Sequence, residues 1–338
     1  MGNRDIVAIG TSAGGVEALL TLARGFRIDF PASVLVTIHI PSWGKSALDE
    51  VLNAAGPLQA KFAEDGEPMR KARIYIAPPD RHLLVEGDRL KLGTGPRENN
   101  TRPAIDPMLR STAVCCCART IGVVLTGTLG DGASGLWAIG NCGGVTVVQD
   151  PRGAAYPEMP RNALERAKPD HIVDLEQMQV LLDSLVHQPA GEPCVAPEHL
   201  RYEVEVAKGK EGNVTDMDRI GKRSVLSCPD CQGVMWEIDE GDLIRFRCHV
   251  GHAYIADLMS LALDENLRRA LASAQRALEE RVALARKLQR EAKNQGHKHL
   301  MHTWSAKAEE FEQELAIIRD SIHRMNAIAA NKELLSSK

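Results

Sequence analysis

The sequence lacks the features that mark a membrane, secreted or nucleic-acid-binding protein. None of its 338 residues lies in an uninterrupted apolar stretch approaching about 18 positions, and no charged-then-apolar signal pattern opens the chain. A formal net charge of -4 leaves no broad basic face. The eight cysteines have no paired disulfide spacing, which fits reduced thiols. We therefore expect a cytoplasmic protein with no membrane insertion and no nucleic-acid partner.

The G-x-G-x-x-G fingerprint of dinucleotide-binding folds is also missing. An apolar strand pattern ends in Gly10–Gly15, where Ser12 stands in place of the middle glycine. A serine on a strand-to-helix turn presents its hydroxyl beside the first free N–H groups of the helix, which favours a nucleophile. A packing turn or a phosphate cradle remains the alternative.

Two further strand patterns end in residues that could complete a catalytic triad. His39 follows the strand pattern that starts at Ser33, and Asp131 lies in a glycine-rich loop after the pattern that starts at Ile121. Parallel strands bring their carboxyl ends to one edge of a sheet, so the three side chains could meet there. Taken singly, His39 could be a surface residue and Asp131 a helix cap or turn residue.

Seven short segments, taken in order, resemble the catalytic domain of CheB-type protein-glutamate methylesterases of bacterial chemotaxis. The resemblance runs from about Asp5 to Val186. The segments are Gly10–Gly15, His39–Pro41, Tyr75–His82, Arg102–Asp106, Leu125–Gly127, Gly130–Gly135 and Met159–Ala163.

This resemblance implies a serine hydrolase that demethylates glutamyl methyl esters on a chemoreceptor cytoplasmic domain or similar signalling protein, with no catalytic cofactor. Deamidation of glutamine needs no further residue types. By resemblance Ser12 is the nucleophile, His39 the general base and acid, and Asp131 the orienting carboxylate. The oxyanion donors fall on the backbone N–H groups of Ala13 and Thr128, where family members often have threonine and methionine.

Three other residues in the similar segments are weaker candidates. His82 and Arg102 are expected to form part of the substrate wall or to be structural, and Arg161 to anchor a loop beside the site. The adjacent cysteines at 115–117 extend an apolar helix pattern and are expected to be small buried residues.

Periodicity divides the chain into four parts. Residues 1–187 alternate short apolar runs with helical patterns, which predicts an α/β domain with a doubly wound, mostly parallel sheet and helices on both faces. Within it, residues 75–77 and 82–92 are interpreted as a hairpin that turns at Gly87. Residues 188–224, rich in proline and polar positions, are interpreted as a linker, with a short element near 201–207. Residues 225–256 and 257–338 form the two remaining parts.

Residues 225–256 carry a metal-binding pattern. Cys228 and Cys231 form one knuckle, and Cys248 with His252 forms a second one, on either side of a predicted β-hairpin. We assign these four residues to a structural zinc ion in a zinc-ribbon-like module, with His249 as the competing fourth ligand. A redox dithiol at the first knuckle is the alternative.

Residues 257–338 carry two apolar stripes at helical spacing, joined by a turn near Gly296, which predicts an antiparallel helical hairpin. The hairpin is either a self-packed appendage or a surface for docking a partner or forming a homodimer.

The family enzyme carries a phosphorylatable receiver domain ahead of the catalytic domain. Here the first strand pattern begins within a few residues of Met1, so we expect a receiver-less form with a C-terminal extension. A non-catalytic adaptor that works through its C-terminal helices, or an esterase for another protein, are the alternative functions.

Overall fold

The computed structural model describes residues 2–40, 46–192, 194–241 and 243–336, and it divides into two compact units, Met1–Met259 and Ser260–Lys338. The strands are β1 (Ile6–Thr11), β2 (Ser33–Ile38), β3 (Gln59–Phe62), β4 (Arg73–Ile76), β5 (His82–Glu86), β6 (Arg89–Gly93), β7 (Thr120–Val124), β8 (Val145–Gln149), β9 (His171–Val173), β10 (Lys222–Ser227), β11 (Val234–Glu240), β12 (Leu243–Cys248) and β13 (Ala253–Ile255). The helices are α1 (Gly15–Gly25), α2 (Leu48–Ala55), α3 (Ile105–Cys116), α4 (Ala133–Asn141), α5 (Glu158–Ala167), α6 (Leu175–Val186), α7 (Glu198–Lys208), α8 (Val214–Ile220), α9 (Ala256–Asn294) and α10 (Lys298–Ser336).

A seven-stranded parallel sheet forms the centre of the first unit, in the order β3-β4-β2-β1-β7-β8-β9. Strands β1, β2 and β7 are buried along their whole length, because helices cover both faces. Helices α1, α2 and α6 pack on one face, and α3, α4 and α5 on the other. The predicted doubly wound α/β fold is confirmed.

Strand β1 lies at the point where the strand order reverses. The chain leaves β1 for β2 on one side and later returns to β7 on the other, so the carboxyl ends of β2, β1 and β7 are neighbours. Crevices at such reversal points are the usual ligand sites of open α/β sheets. The predicted hairpin is shorter than expected: Tyr75 and Ile76 belong to the parallel strand β4, and β5 pairs with β6 alone.

Residues 188–224, interpreted as a linker with a short element near 201–207, contain two helices in the part that the structure describes, which omits Pro193. Helix α7 buries Leu200, Val204 and Ala207 on one face and packs against α3, and α8 follows it. Pro197 immediately precedes the first residue of α7, so this proline belongs to the start of a helix and not to a flexible chain. The side chain of Asn213 caps α8 by accepting a hydrogen bond from the Asp216 N–H at 2.8 Å.

The metal-binding pattern lies in a second, antiparallel sheet with the order β10-β11-β12-β13. Strands β11 and β12 form the hairpin that the sequence predicts; Asp242, in its turn, lies outside the described residues, as does Pro41 beside His39. We call β10–β13 the Cys/His module. One apolar cluster of the module is built around Trp236, Ile238 and Met217 of α8.

A buried ionic cluster connects α3 and α7 with the Cys/His module. Its carboxylates and guanidinium groups are at most 2 % exposed, and they belong to Glu98, Glu203, Glu240, Arg110, Arg245 and Arg247. Glu203 of α7 pairs with Arg110 at 3.0 Å, with Arg245 at 2.6 Å and with Arg247 at 3.0 Å. Burial alone would raise the pKa of Glu203, but the three guanidinium charges hold this pKa well below its usual range. The cluster therefore depends on Glu203 being ionised.

The second unit holds most of the predicted helical hairpin, which is confirmed. Ala285 and Ala292 of α9 are buried, as are Ala308 and Leu315 of α10. Ion pairs such as Arg286 to Glu312 at 2.8 Å join the two helices, whereas Leu267 of α9 is 51 % exposed. None of the helices in the described ranges combines the length and apolarity needed to cross a membrane.

Removing one carboxylate from the ionic cluster should destabilise the first unit strongly. Glu203→Gln leaves three buried guanidinium groups with one counter-charge fewer, which we expect to lower the free energy of unfolding by about 3–5 kcal/mol. Urea unfolding measures this change. Glu205→Gln on the same helix removes only an exposed pair with Lys208 and serves as the control. Equal effects of the two substitutions would contradict the importance of the cluster.

Candidate active site

Three neighbouring strand ends bring Ser12, His39 and Asp131 together. Ser12 and His39 directly follow β1 and β2, and Asp131 lies in the loop after β7. The Nδ1 atom of His39 lies 3.0 Å from the Ser12 Oγ atom, and its Nε2 atom lies 2.7 Å from Asp131 Oδ2. Because Asp131 accepts a hydrogen bond from Nε2, the lone pair of Nδ1 faces the serine hydroxyl. The arrangement suits proton transfer from Ser12 to His39.

The Asp131 carboxylate is 2 % exposed and is surrounded by hydrogen-bond donors. Its Oδ2 atom also accepts from the N–H of Ile105 at 2.7 Å, and Oδ1 accepts from the N–H groups of Asp106 at 3.1 Å and Gly132 at 3.0 Å. Ile105 and Asp106 begin α3, so the carboxylate sits at a helix N-terminus. Burial acts to raise the pKa of Asp131, but the hydrogen bond and charge of His39 and the other donors lower it to about 2. Asp131 is therefore ionised at neutral pH.

Helix α3 reaches this position because Gly10 leaves room for it. A Cβ atom on Gly10 would lie 2.1 Å from Ile105 Cγ2, so any larger residue in β1 would displace the start of α3. The glycine in the strand thus supports the carboxylate rather than the serine turn.

A second buried carboxylate and an asparagine complete the surroundings of Asp131. Asn99 Nδ2 donates to Asp131 Oδ1 and to Asp106 Oδ2, both at 2.9 Å. Burial and the nearby charge of Asp131 raise the pKa of Asp106 well above its ordinary range, so the site concentrates its negative charge on Asp131. Sequence reasoning gave neither residue a role. Asp106 ends one of the family-like segments, but no spacing or motif in the sequence marks Asn99.

The backbone N–H groups of Ala13 and Thr128 make no hydrogen bond within the part of the chain that the structure describes. The chain passes close to the serine at Gly127, where an added Cβ atom would lie 2.9 Å from Ser12 Cβ. Gly127 donates to the carbonyl of Tyr156 and accepts from the N–H of Met159, each at 3.0 Å, which fixes the approach to Thr128. Unpaired N–H groups beside a nucleophile are suited to stabilise an oxyanion.

The three weaker candidates have different environments. His82 is fully buried, its Nε2 atom lies 2.9 Å from the carbonyl of Pro96, and its Nδ1 atom accepts from the N–H of Ala104; a structural role fits this arrangement and a substrate wall does not. Burial lowers the pKa of His82, which favours the neutral ring. Arg102 is anchored by Asp80 at 2.7 Å and by two carbonyl groups. Arg161 is exposed on α5.

The adjacent cysteines at 115–117 differ in detail from the prediction of small buried residues in one helix. Cys116 is buried, whereas Cys115 and Cys117 are half-buried, and Cys117 already lies beyond the end of α3.

Cys228, Cys231, Cys248 and His252 form one cluster whose possible ligand atoms all lie within 4.8 Å of one another. The Sγ atoms of Cys231 and Cys248 are 3.7 Å apart, and His252 Nδ1 lies 3.5 Å from Cys248 Sγ and 3.7 Å from Cys228 Sγ. A tetrahedral zinc ion about 2.3 Å from sulfur and about 2.0 Å from nitrogen requires ligand atoms about 3.5–3.8 Å apart. The donor set and its spacing therefore fit a structural zinc ion.

Outside the four candidate ligands, Asp230 lies close to the ring of His252. Its Oδ2 atom lies 3.9 Å from His252 Nε2 and accepts a hydrogen bond from the Tyr254 hydroxyl at 2.5 Å. Carboxylates behind a ligating imidazole are typical of zinc sites. His249 lies beside Gly233 and, among the described residues, is not in the cluster.

A serine, an imidazole and a carboxylate joined in this order at the edge of an α/β sheet are the arrangement of a serine hydrolase. Comparison with known proteins agrees with this class. The chain belongs to the CheB methylesterase family, because residues 7–182, more than half of its length, match the family model described as CheB methylesterase.

Individual relatives support the assignment. A Leptospira interrogans protein provisionally named protein-glutamate methylesterase/protein-glutamine glutaminase is 34% identical over 180 residues, covering 53% of this chain and 93% of the relative. A Shewanella protein with the same activities in its name is 37% identical, and there the match covers 52% of this chain and 51% of the relative. The crystal structure of the Thermotoga maritima CheB methylesterase catalytic domain is also similar, with 31% identity and a TM-score of 0.52. The match covers 55% of this chain and 100% of the Thermotoga maritima chain.

Asp131→Asn should reduce stability in a pH-dependent way. An amide at this position turns an NH2 group towards N–H donors whichever way it is oriented, so we expect a loss of about 1–3 kcal/mol near neutral pH. Because the pKa of Asp131 is lowered on folding, its contribution is complete above its ordinary value of 3.8 and is lost as the pH falls towards about 2. Urea unfolding at several values between about pH 6 and about pH 3 measures this effect. The difference in free energy of unfolding between wild type and Asp131→Asn should become smaller as the pH falls. The control is Asp88→Asn, because Asp88 is exposed. A difference in free energy of unfolding between wild type and Asp131→Asn that does not change with pH would contradict the low pKa of Asp131.

Proposed function

We propose that this protein is a serine hydrolase that demethylates glutamyl methyl esters on chemoreceptor-type signalling proteins. The observation that carries the proposal is the continuous path from Ser12 Oγ through His39 to the ionised Asp131, with 3.0 Å and 2.7 Å contacts. Membership of the CheB methylesterase family and the names of the relatives supply the substrate class.

The reaction is acyl transfer in two halves. Ser12 Oγ attacks the ester carbonyl while His39 Nδ1 takes its proton, and Asp131 stabilises the imidazolium that forms. The backbone N–H groups of Ala13 and Thr128 stabilise the developing oxyanion. His39 then protonates the departing methanol, and water, activated by the same imidazole, releases the glutamate carboxylate. A glutamine substrate would follow the same steps with ammonia as the leaving group, and the relatives' names include this activity.

Ser12→Ala tests the nucleophile. We expect methanol release from a methylated receptor cytoplasmic domain to fall by about 10⁴-fold or more, because serine and imidazole act as a unit. Volatile methanol from methyl-labelled receptor is the measurement, and Ser184→Ala on the exposed side of α6 is the matched control. Near-normal release by the folded Ser12→Ala protein would remove Ser12 from this role.

We further propose that the Cys/His module holds one structural zinc ion through Cys228, Cys231, Cys248 and His252. Four protein ligands leave no open coordination position, so the metal would stabilise the module and would not contact the substrate. Because a single four-stranded sheet of this length has little room for a core of its own, metal binding would be coupled to the folding of the module.

Metal analysis tests this assignment. We expect about one equivalent of zinc per chain in wild type and its loss in Cys228→Ser. Cys115→Ser, which replaces a cysteine on α3 outside the cluster, should keep the metal. A metal-free, folded wild type with a titratable disulfide between Cys228 and Cys231 would favour redox chemistry instead.

The partner surface of the helical hairpin stays a proposal. Several large apolar side chains of α9 and α10 are 48–66% exposed, among them Leu284, Leu300 and Ile317. Such side chains are suited to bind a helical partner or a second copy of the chain. The corresponding prediction is that these helices dock to a receptor array or form a homodimer. We also propose a cytoplasmic location.

A further inference from the structure

The last strand of the Cys/His module touches the residue that holds Asp131. The N–H of Asn99 donates to the carbonyl of Ala253 at 2.8 Å, and Asn99 Oδ1 accepts from the N–H of Ile255 at 3.2 Å. Both partners belong to β13. The remaining polar group of the same side chain, Nδ2, donates to Asp131 and Asp106. Asn99 therefore uses every polar atom of its side chain to join β13 to the candidate triad.

Two further contacts fix this connection. Glu98, next to Asn99, is paired with Arg247 of β12 at 2.6 Å and with Arg110 of α3 at 3.2 Å in the buried ionic cluster. The side chain of Ile255 packs against the loop that carries Asp131, since a Cβ atom on Gly130 would lie 2.3 Å from Ile255 Cδ1.

The Cys/His cluster lies immediately before β13. His252 precedes Ala253, and Cys248 ends β12, so two of the four candidate ligands bracket the turn that leads into the strand. The N–H of Cys248 also donates to the carbonyl of His252 at 3.0 Å. The position of β13 thus depends on the turn that the cluster closes.

We propose that Asn99 is a positioning residue through which strand β13 of the Cys/His module holds the Asp131 carboxylate in its catalytic orientation. The inference rests on the proposed hydrolase function. Asn99 fixes Oδ1 of Asp131, which leaves Oδ2 directed at His39 Nε2. Without that donor the carboxylate keeps its backbone partners but loses the side-chain constraint linked to the module. The Cys/His module is then part of the catalytic apparatus rather than an appendage.

The test compares Asn99→Ala with Asn100→Ala in the full chain. Both asparagines have positive φ values, 49° and 64°, so alanine introduces similar backbone strain at either position, but Asn100 is exposed and contributes no contact to the triad. We expect kcat for ester hydrolysis to fall by about 10–100-fold in Asn99→Ala with KM changed by less than about twofold, and Asn100→Ala to resemble wild type.

A fluorophosphonate probe gives a second measurement that does not need the receptor. Ser12 Oγ forms a bond to phosphorus, fluoride leaves with the P–F electron pair, and the serine proton passes to His39 and then to solvent. We expect the labelling rate to fall in Asn99→Ala as kcat does, while zinc content and the urea midpoint show whether the variant is folded.

Removal of the metal provides a test that does not depend on the Asn99 variant. Chelation of the full-length protein, and the ligand variant Cys231→Ser, should slow fluorophosphonate labelling by about 10-fold or more, and added zinc should restore labelling only in the chelated wild type. If Asn99→Ala does not fold, this test decides the inference by itself.

The outcomes separate the two proposals. Labelling of wild type together with equal rates for Asn99→Ala and Asn100→Ala, or labelling that survives complete removal of the metal, would overturn the positioning role and leave the hydrolase function intact. Failure of wild type to be labelled or to hydrolyse methyl esters would overturn the hydrolase function and this inference with it.

Discussion

The candidate site depends on keeping one carboxylate ionised in a buried position. Asp131 is 2 % exposed, and only the donors arranged around it make its charge tolerable. Those donors come from four sources: the first N–H groups of α3, the N–H of Gly132, the side chain of Asn99 and the ring of His39. In the proposed mechanism, a charge held in this way orients the imidazole and stabilises the imidazolium formed during the reaction. The packing of α3 against β1 and the loop at Asn99 would then support the reaction by holding that charge.

The same constraint recurs where the Cys/His module meets the α/β domain. Three buried carboxylates are matched there by three guanidinium groups, and Glu203 of α7 contacts all three. Buried pairs of this kind contribute little net stability compared with apolar packing, but breaking one leaves an uncompensated charge. The cluster consequently disfavours any arrangement in which the module separates from α3 and α7, and Glu98 carries the constraint to its neighbour Asn99.

Much of the α/β domain could be predicted because its causes are local. Apolar runs such as the one from Ile6 specify strands buried on both faces, and the residues that follow them must lie at one sheet edge, so Ser12, His39 and Asp131 could be placed together before any coordinates. The spacing of the two knuckles that contain Cys228 and Cys248 likewise predicts a metal-binding cluster. Within residues 188–224 the sequence predicts only a short element near 201–207, because prolines and polar residues dominate there, and the few apolar positions that fold α7 onto α3 show their purpose only in contact.

The sequence by itself determined the alternation of strands and helices in the α/β domain, the residue types at three strand ends and a metal-binding donor set, since periodicity and spacing act within short stretches of chain. Only the tertiary structure decided which nitrogen of His39 faces Ser12 and which residues surround Asp131. It also placed Asn99 between Asp131 and Ile255, residues separated by more than 120 positions in the chain. The physical reason is that a buried charge takes its donors from whatever the fold brings near, and nothing in local sequence records that proximity.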